Sequence, residues 1–567
     1  MSDEEPIRSF EFPRRWPGLP WQRRRIEEQM EELSASGLDT PMNRREFLDA
    51  SKKMGLSVAA TAWLYPAFLA ACGRTAEQQT PYSGGRFDVG GESGGETINI
   101  GVISIYSGVG AFVGKLVDHG AVLAVDQINK HGLPTGKKTP EGFPDFDAYQ
   151  KQTTGGILGG KRINLIKRDD NLSAQVAVSA LQEMVTRYRI KGLIFAGLYD
   201  DIYACKKLAQ QYNIPCIAAY GDLYSVDQLY PKTDYKQLFQ MFPPDVWGIE
   251  IMLEEYATKD RGYKTFGYLG DNTAVGAQGK RLIGETLAKL GLHLSSAEQY
   301  NVGDVDMTAQ LSRAAGGKPN VQLIWGIAGD TAHALESLQR LDANYKDHET
   351  ALHGPGWHPQ IIGFEGGAAE RTFAVLAGEA ARTGTMSYWY QGGIGYIPQF
   401  QKAVDIFKQH FGTKPTGGEN NPADAVFLFA HAFEQAKGTD ADKVIAALEN
   451  TSNEGGINFS SIAPHTFSAD RHISLEKDDM VGITLERGAA APTNPAYDIG
   501  TEFKQFFSPG YVGPTQFMRF NQEGLMRKHK DLYGEIMLKN GYGTQCTKVP
   551  DSRAPYGFKL TNACKIH

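Results

Sequence analysis

The sequence predicts an α/β protein made of two doubly wound parallel-sheet lobes. Short continuous apolar runs alternate with stretches of helical spacing, and this alternation occurs twice in succession between residues 97 and 365. The 64 glycines in 567 residues also exceed the roughly 7% of an average chain. Alternating strands and helices imply a parallel sheet, because the helix returning the chain lies on a sheet face. Glycine is favoured at the many tight turns such a fold needs. Length alone gives a prior of about four domains or two large ones. With 58 Lys and Arg against 65 Asp and Glu, the net charge of −7 argues against nucleic-acid binding, which usually leaves a basic excess.

In chain order, TINIGVISI at 97–105 reads as a buried strand. The segment 113–131 reads as a helix, with Val113, Val117, Ala121, Ala124 and Ile128 on one face. Residues 133–155 interrupt the rhythm and read as a surface insertion. Strands follow at 162–170, 192–197 and 215–220, separated by helices at 173–190 and 201–212. The second unit opens with a helix at 244–259 and continues with KTFGYLGD at 264–271, a helix at 275–291, HLSSAEQYN, QLIWGI at 322–327, a helix at 330–341 and QIIGFE at 360–365. TMSYWYQ at 385–391 precedes helices at 396–411, 421–437 and 440–450, strand-like sequence at 464–468, and MVGITLE at 480–486. The expected division is lobe 1 at 96–243, lobe 2 at 244–384, a return to lobe 1 at 385–455 and a crossing back at 456–489. Residues 490–567 form a Gly-, Pro- and aromatic-rich extension with no parallel in either unit.

The first hundred residues read mostly as an address. NRREFL at 43–48, with Arg44 and Arg45, precedes the uncharged run 54–71 and resembles a twin-arginine export signal. A transmembrane helix is the alternative, but Gly55, Ser57, Thr61 and Pro66 leave the run weakly hydrophobic. Asp49 departs from the twin-arginine pattern and leaves the export route less defined than export itself. Leu69, Ala70, Ala71, Cys72 and Gly73 resemble a bacterial lipobox, which implies cleavage before Cys72, diacylation of its thiol and a lipid anchor on the membrane. Residues 1–41 are read as an upstream extension, with translation starting at Met42, or as a short amphipathic helix over 22–35. Residues 72–95, poor in apolar periodicity, read as a flexible tether.

INIGVISIYSGVGAFVG, DQINKHG, GGILGGKRINLIKRDDNLSAQVAVSALQEMV, GLIFAG, NIPCIAAY, GFEGG and NNPADAVFLFAHAFEQA occur in that order. Together they resemble the type I periplasmic solute-binding proteins of ABC importers, of the leucine/isoleucine/valine-binding class. The resemblance spans roughly 95–487. It implies two lobes joined by a three-segment hinge that close over a small-molecule solute, no cofactor, and delivery to an ABC permease in the membrane. The alternative is a two-lobed ligand-sensing receptor component; a neighbouring permease gene separates the two.

In open α/β sheets ligands sit beyond the carboxyl ends of the strands. That places the candidate loops at 107–112, 198–202, 220–224, 325–330 and 364–367. Ser107 and Gly108 match the family's Ser-Gly, and Glu365 coincides with the acid that accepts a bond from a ligand ammonium. The bland alternatives are an ordinary turn and a helix cap. The family's carboxylate-holding hydroxyls map onto Asp200 or Asp201 and onto Asp222, acids that repel a carboxylate or serve as N-caps. Its pocket aromatics map onto Val113, Val275 and Ala328, while Tyr199, Tyr203, Tyr220, Tyr224 and Trp325 stand nearby. An acidic, aromatic cleft suits an amine, amide or aromatic solute better than leucine; the same tyrosines would also serve as packing.

No catalytic set emerges. The glycines at 108–114 imitate a dinucleotide fingerprint, but the third comes one residue late and Asp126 lies in the helix, which disfavours a Rossmann enzyme. HExxH, GxSxG and Walker A patterns are missing, and the histidines, including His333, His353 and His358, have no metal-ligand spacing. Asp169 and Asp170 suggest paired acids, a position that the family uses structurally. Cys546 and Cys564, with seventeen residues between them, are a possible disulfide, which a chain-entropy model values at roughly 3 kcal/mol. Cys205 and Cys216 are either a second pair or two buried thiols.

Overall fold

The computed structural model describes residues 88–89, 96–135, 144–197, 199–222, 235–341, 357–368, 373, 377, 383–390, 398–412, 415, 417–454, 459, 465–475, 477, 480–486, 502–505, 548–550 and 558–560. The export signal, Cys72, Tyr224, His353, Cys546, Cys564 and most of the extension lie outside them.

The first lobe is laid down by β1 (Asp88–Val89), β2 (Thr97–Ser104), α1 (Ala111–His131), β3 (Arg162–Asp169), α2 (Ala174–Thr186), β4 (Gly192–Ala196), α3 (Tyr199–Tyr212), β5 (Cys216–Ala218) and β6 (Leu238–Gln240). The sheet order is β1-β3-β2-β4-β5-β6, parallel throughout except for β1, which pairs antiparallel with β3. Alternate residues feed opposite cores: Ile100 and Val102 join one apolar cluster and Ile103 the other. The sheet is covered on both faces, which is why its strands read as unbroken apolar runs. Helix α1 ends at Gly132, whose φ of 76° suits glycine.

The chain then crosses to α4 (Asp245–Glu250), which runs on as a π-helical segment, Ile251–Asp260. The second lobe follows as β7 (Phe266–Asp271), α5 (Ala274–Lys289), β8 (Leu294–Tyr300), α6 (Thr308–Ala315), β9 (Val321–Trp325), α7 (Ala328–Leu341), β10 (Gln360–Gly363), a short helix Glu365–Ala368 and β11 (Thr383–Tyr390). Helices α8 (Pro398–Phe411), α9 (Gly417–Ala436) and α10 (Ala441–Glu449) return to the first lobe, where α9 packs its buried phenylalanines into the same cluster as α1. Strands β12 (Met480–Glu486) and β13 (Glu502–Gln505) complete a seven-stranded sheet of order β13-β12-β11-β10-β9-β7-β8. Strands β14 (Lys548–Pro550) and β15 (Phe558–Leu560) form a separate antiparallel pair.

Taken from its first parallel strand, each sheet has the order 2-1-3-4-5, and the connections reverse direction between the first and third strands. That crevice is where an open α/β sheet binds ligands. The positions are β2 beside β4 in the first lobe and β7 beside β9 in the second.

Several expectations shift. The return to the first lobe follows residue 390, not 385, because β11 pairs with β10 and β12 in the second sheet. Residues 133–155 are not only surface: Phe146 and Tyr149 are buried and meet Phe427 and Phe459. Part of the expected tether, Asp88–Val89, adds an edge strand, and the extension contributes β13 to the second sheet. In place of a strand at 464–468, residues 465–475 run beside β6: Ser474 N–H donates to Gln240 O and Gln240 N–H to His472 O. The first and last crossings therefore lie side by side, joined by backbone bonds.

Candidate functional site

The first candidate loop, after β2, is held by short-range carboxylate contacts. Asp169 Oδ1 accepts from the backbone N–H groups of Tyr106 and Asn171, and the Ser107 hydroxyl donates to Asn171 Oδ1 at 3.1 Å. Ser107 is half-buried and Gly108 exposed, with φ 68°. Asp170 does not pair with Asp169. It turns toward Asp201, and a Cβ at Gly197 would lie 2.6 Å from Asp170 Oδ2 and 3.1 Å from Asp201 Oδ2. Burial, then the charge of Asp169, raises the Asp170 carboxyl above its ordinary range, and hydrogen bonds from Leu172 N–H and with Asp201 oppose the rise. Asp201 is thus buried behind the cleft loops, while its neighbour Asp200 is exposed. Both stand in the first turn of α3, where acidic residues favour the helix end.

Tyr199, Asp222 and Glu365 come together, joined by two residues that the sequence did not single out, Asp245 and Tyr388. Tyr199 opens α3 in the first lobe yet packs with the apolar core of the second, and its hydroxyl donates to Asp245 Oδ2. Asp245 is the first residue of α4, on the crossing between lobes. Its backbone N–H is capped by Asp222 Oδ2 at 2.8 Å, while Asp222 Oδ1 accepts from Gln240 Nε2 at 3.2 Å. Asp222 is therefore a long-range cap at the start of the hinge helix. Tyr388 arrives from β11 and faces both Glu365 and Asp245. Asp222 and Asp245 are fully buried and Glu365 is 3% exposed.

These buried acids repel one another. Burial first, then the charges of Glu365 and Asp222, hold the Asp245 carboxyl well above the usual carboxylate range, against the bonds from Tyr199 and Tyr388. The same surroundings push both tyrosine hydroxyls far above their ordinary value, burial again being the largest cause. Both phenols are thus neutral donors at any physiological pH.

Trp325, Ala328 and Tyr220 are held by apolar packing. Trp325 is buried between Gly279 of α5 and the ring of Phe364, 4.5 Å away, in the apolar cluster that also holds Tyr199 and Tyr388. Its face follows from strand period, since Val321, Leu323 and Trp325 share one apolar cluster. Ala328 is the first residue of α7, fully buried in the other cluster. Tyr220 is half-buried against Phe242. Phe112, just after Gly108, packs from the first lobe onto the second-lobe cluster that holds Tyr300 and Ala328. Cys205 and Cys216 are buried free thiols, and burial raises both above the ordinary thiol value, which makes them unreactive.

One constellation imitates a hydrolase. His465 Nδ1 meets Ser474 Oγ at 2.7 Å and its Nε2 lies 3.5 Å from Asp424 Oδ2, but all three residues have no exposed surface. A nucleophile sealed in the core has no route to substrate, so the trio ties the last crossing to α9 and, through Ser474, to Met241 O. Among the described residues, no group of three or more His, Cys, Asp or Glu is disposed to hold a metal ion.

Solved structures share this fold at low identity. A periplasmic binding protein type 1 from Bordetella pertussis aligns with 19% identity and a TM-score of 0.57, over 72% of this chain and 99% of its own. A leucine-binding protein from Thermotoga maritima aligns with 16% identity and a TM-score of 0.55, over 72% and 98%. A solute-binding protein of an ABC transporter from Rhodopseudomonas palustris, in complex with 3,4-dihydroxybenzoic acid, aligns with 18% identity and a TM-score of 0.54, over 69% and 93%. No curated protein matches the chain significantly. The sequence profile of the periplasmic binding protein family matches residues 97–477, two thirds of the length and both lobes, and the chain therefore belongs to the periplasmic binding protein family.

Proposed function

We propose that this protein is an exported, lipid-anchored solute-binding protein. It holds a small organic solute, an amino acid or a related amine, amide or aromatic compound, between its lobes and delivers it to an ABC permease. The carrying observation is the convergence of Tyr199 from the first lobe, Asp245 from the crossing, and Glu365 and Tyr388 from the second lobe in one buried cluster at the carboxyl ends of the strands. A solute bound there touches both lobes at once, so its affinity differs between open and closed states and its binding drives closure. Glu365 accepts a charge-assisted bond from the solute's nitrogen, strengthened by exclusion of water. Ser107, Gly108, Tyr220 and the exposed Asp200 line the approach from the first lobe. A solute of the size of one small ring or branched chain is in keeping with the names of two structural neighbours, a leucine-binding protein and a complex with 3,4-dihydroxybenzoic acid.

Export and anchoring rest on Arg44, Arg45 and the Leu-Ala-Ala-Cys sequence ending at Cys72. Native mass spectrometry of protein purified from its own cells tests the reading. A stoichiometric small molecule released on denaturation is expected, along with a mature N-terminus at a diacylated Cys72. Protein that carries no solute and binds none from a cell extract would sink the transport reading.

A further inference from the structure

Gln240 ends β6 and is 2% exposed. Its backbone binds the last crossing in both directions, with Gln240 N–H donating to His472 O at 2.8 Å and Ser474 N–H donating to Gln240 O at 2.9 Å. Its side-chain nitrogen donates to Asp222 Oδ1 at 3.2 Å and to Phe242 O at 2.8 Å. A carboxylate and a backbone carbonyl only accept, so the amide is fixed with its nitrogen toward both. The other oxygen of Asp222 takes the backbone N–H of Asp245 at 2.8 Å, and Asp245 Oδ2 takes the Tyr199 hydroxyl. One chain of bonds thus runs from the last crossing through Gln240 and Asp222 to the first residue of α4 and on to Tyr199. Between Gln240 and Asp245 the first crossing reads Met241, Phe242, Pro243, Pro244, all buried. Each proline fixes its own φ and keeps the residue before it extended, so this span bends little. The pair of Gln240 and Asp222 bridges the same gap, and two links in parallel hold the start of α4 to the end of β6.

On the reading of the Tyr199 and Asp245 cluster as the solute site, we propose that Gln240 is a positioning residue of that site. Without touching the solute, it couples the pairing of the two crossings to the placement of Asp245. When the lobes part, the last crossing shifts against β6, the Gln240 amide draws away from Asp222, and the cap on α4 loosens. When a solute draws the lobes together the same bonds close again, so hinge and site change state together. The donor is what matters, because a hydrogen bond to a buried carboxylate is strong and directional. A residue that only filled space here would be replaceable by an apolar side chain of similar length.

Hydrogen–deuterium exchange on the full chain in detergent, with no solute added, decides this. In the wild type the amides of Gln240, Ser474 and Asp245 are expected to open together, with protection factors within about threefold of one another. An Asp245 amide that exchanges more than about tenfold faster than the other two overturns the coupling. Gln240→Met keeps a similar length and removes the donor; it is expected to speed exchange at Asp245 by about tenfold to a hundredfold and to leave the amides of β7 unchanged. Gln240→Glu supplies a carboxyl that donates only while protonated, so its excess exchange over wild type should be largest near about pH 9 and shrink toward about pH 5. Loss of packing alone gives no such trend. No excess in Gln240→Met, or an excess in Gln240→Glu that is equal at both pH values, overturns the proposal; if neither variant folds, the wild-type comparison decides. The link to the solute is read separately, by native mass spectrometry of protein from its own cells. Gln240→Met should carry about a third or less of the small molecule found per wild-type chain, and equal loading overturns the coupling to the site. Wild-type protein that carries none overturns the transport reading, and the exchange data then judge the chain of bonds on their own.

Discussion

At the scale of residues, the site depends on where single carboxyl groups are buried. Glu365→Ala removes the charge expected to hold the solute's nitrogen and is expected to weaken solute binding by about tenfold to a hundredfold, the worth of one charged hydrogen bond. The melting temperature should change little, since one repelling charge is lost from the cluster; unchanged affinity by calorimetry would remove Glu365 from the site. Asp330, in the first turn of α7, gives a separate prediction. Its carboxyl is pushed up to about 7, by burial first, while Gly303 N–H and His333 pull it down and Asp271 and Asp304 push it further up. A pKa raised on folding stabilises the native state fully below about pH 4 and loses that contribution as pH rises through about 7. Between pH 5 and 8 the wild-type melting temperature should fall several degrees more than that of Asp330→Asn, and parallel curves would sink this assignment. Asp245 escaped the sequence because PPDVWG reads only as a helix start, and nothing local announces that Tyr199, 46 positions away, will donate to it.

At the scale of elements, packing distances decide. Helices α1 and α9 cross so closely that a Cβ at Gly120 would lie 2.0 Å from Glu419 O. Glu419 is also held there by His119, at 3.0 Å. Gly120→Ala is expected to destabilise the first lobe by about 1–3 kcal/mol through overpacking, measured by denaturant unfolding; a neutral result would mean the helices separate at no cost. On the hinge side, a Cβ at Gly248 of α4 would lie 2.2 Å from Tyr388 Cδ2. Gly248→Ala should therefore displace Tyr388 from Glu365 and Asp245 and weaken solute binding by about tenfold or more. Retained affinity would show that Tyr388 does not shape the site. The long strands and amphipathic helices were legible because burial on both faces leaves continuous apolar runs and helix spacing leaves a stripe. Strand β6 was not: three residues, Leu238–Gln240, carry no periodicity, and their pairing partners lie at β5 and at 472–474. The alternation of β9 puts Trp325 on one face with Val321 and Leu323, in the cluster that also takes Tyr199 and Tyr388.

At the scale of the whole molecule, Phe112 of the first lobe packs against one apolar cluster of the second and Tyr199 joins the other, contacts that separation of the lobes would break. Solute binding is expected to lower the radius of gyration measured by small-angle X-ray scattering, and Phe112→Ala should reduce that change by favouring the open form. A solute that binds without compaction would contradict closure. In the extension, β14 and β15 pair antiparallel, with Lys548 opposite Leu560. The Cys546–Cys564 disulfide that the sequence leaves open lies outside the described residues and is to be checked by a two-dalton mass gain of the joined peptides on reduction. The sequence by itself determined the two α/β units and their order and put forward an export signal and Glu365 as candidates, because local apolar runs and motifs carry these. Only the tertiary structure decided that Asp222 caps a hinge helix and that Asp245 and Tyr388 join Tyr199 and Glu365. Which buried groups share one space depends on how distant segments pack, and no local pattern in the chain encodes that.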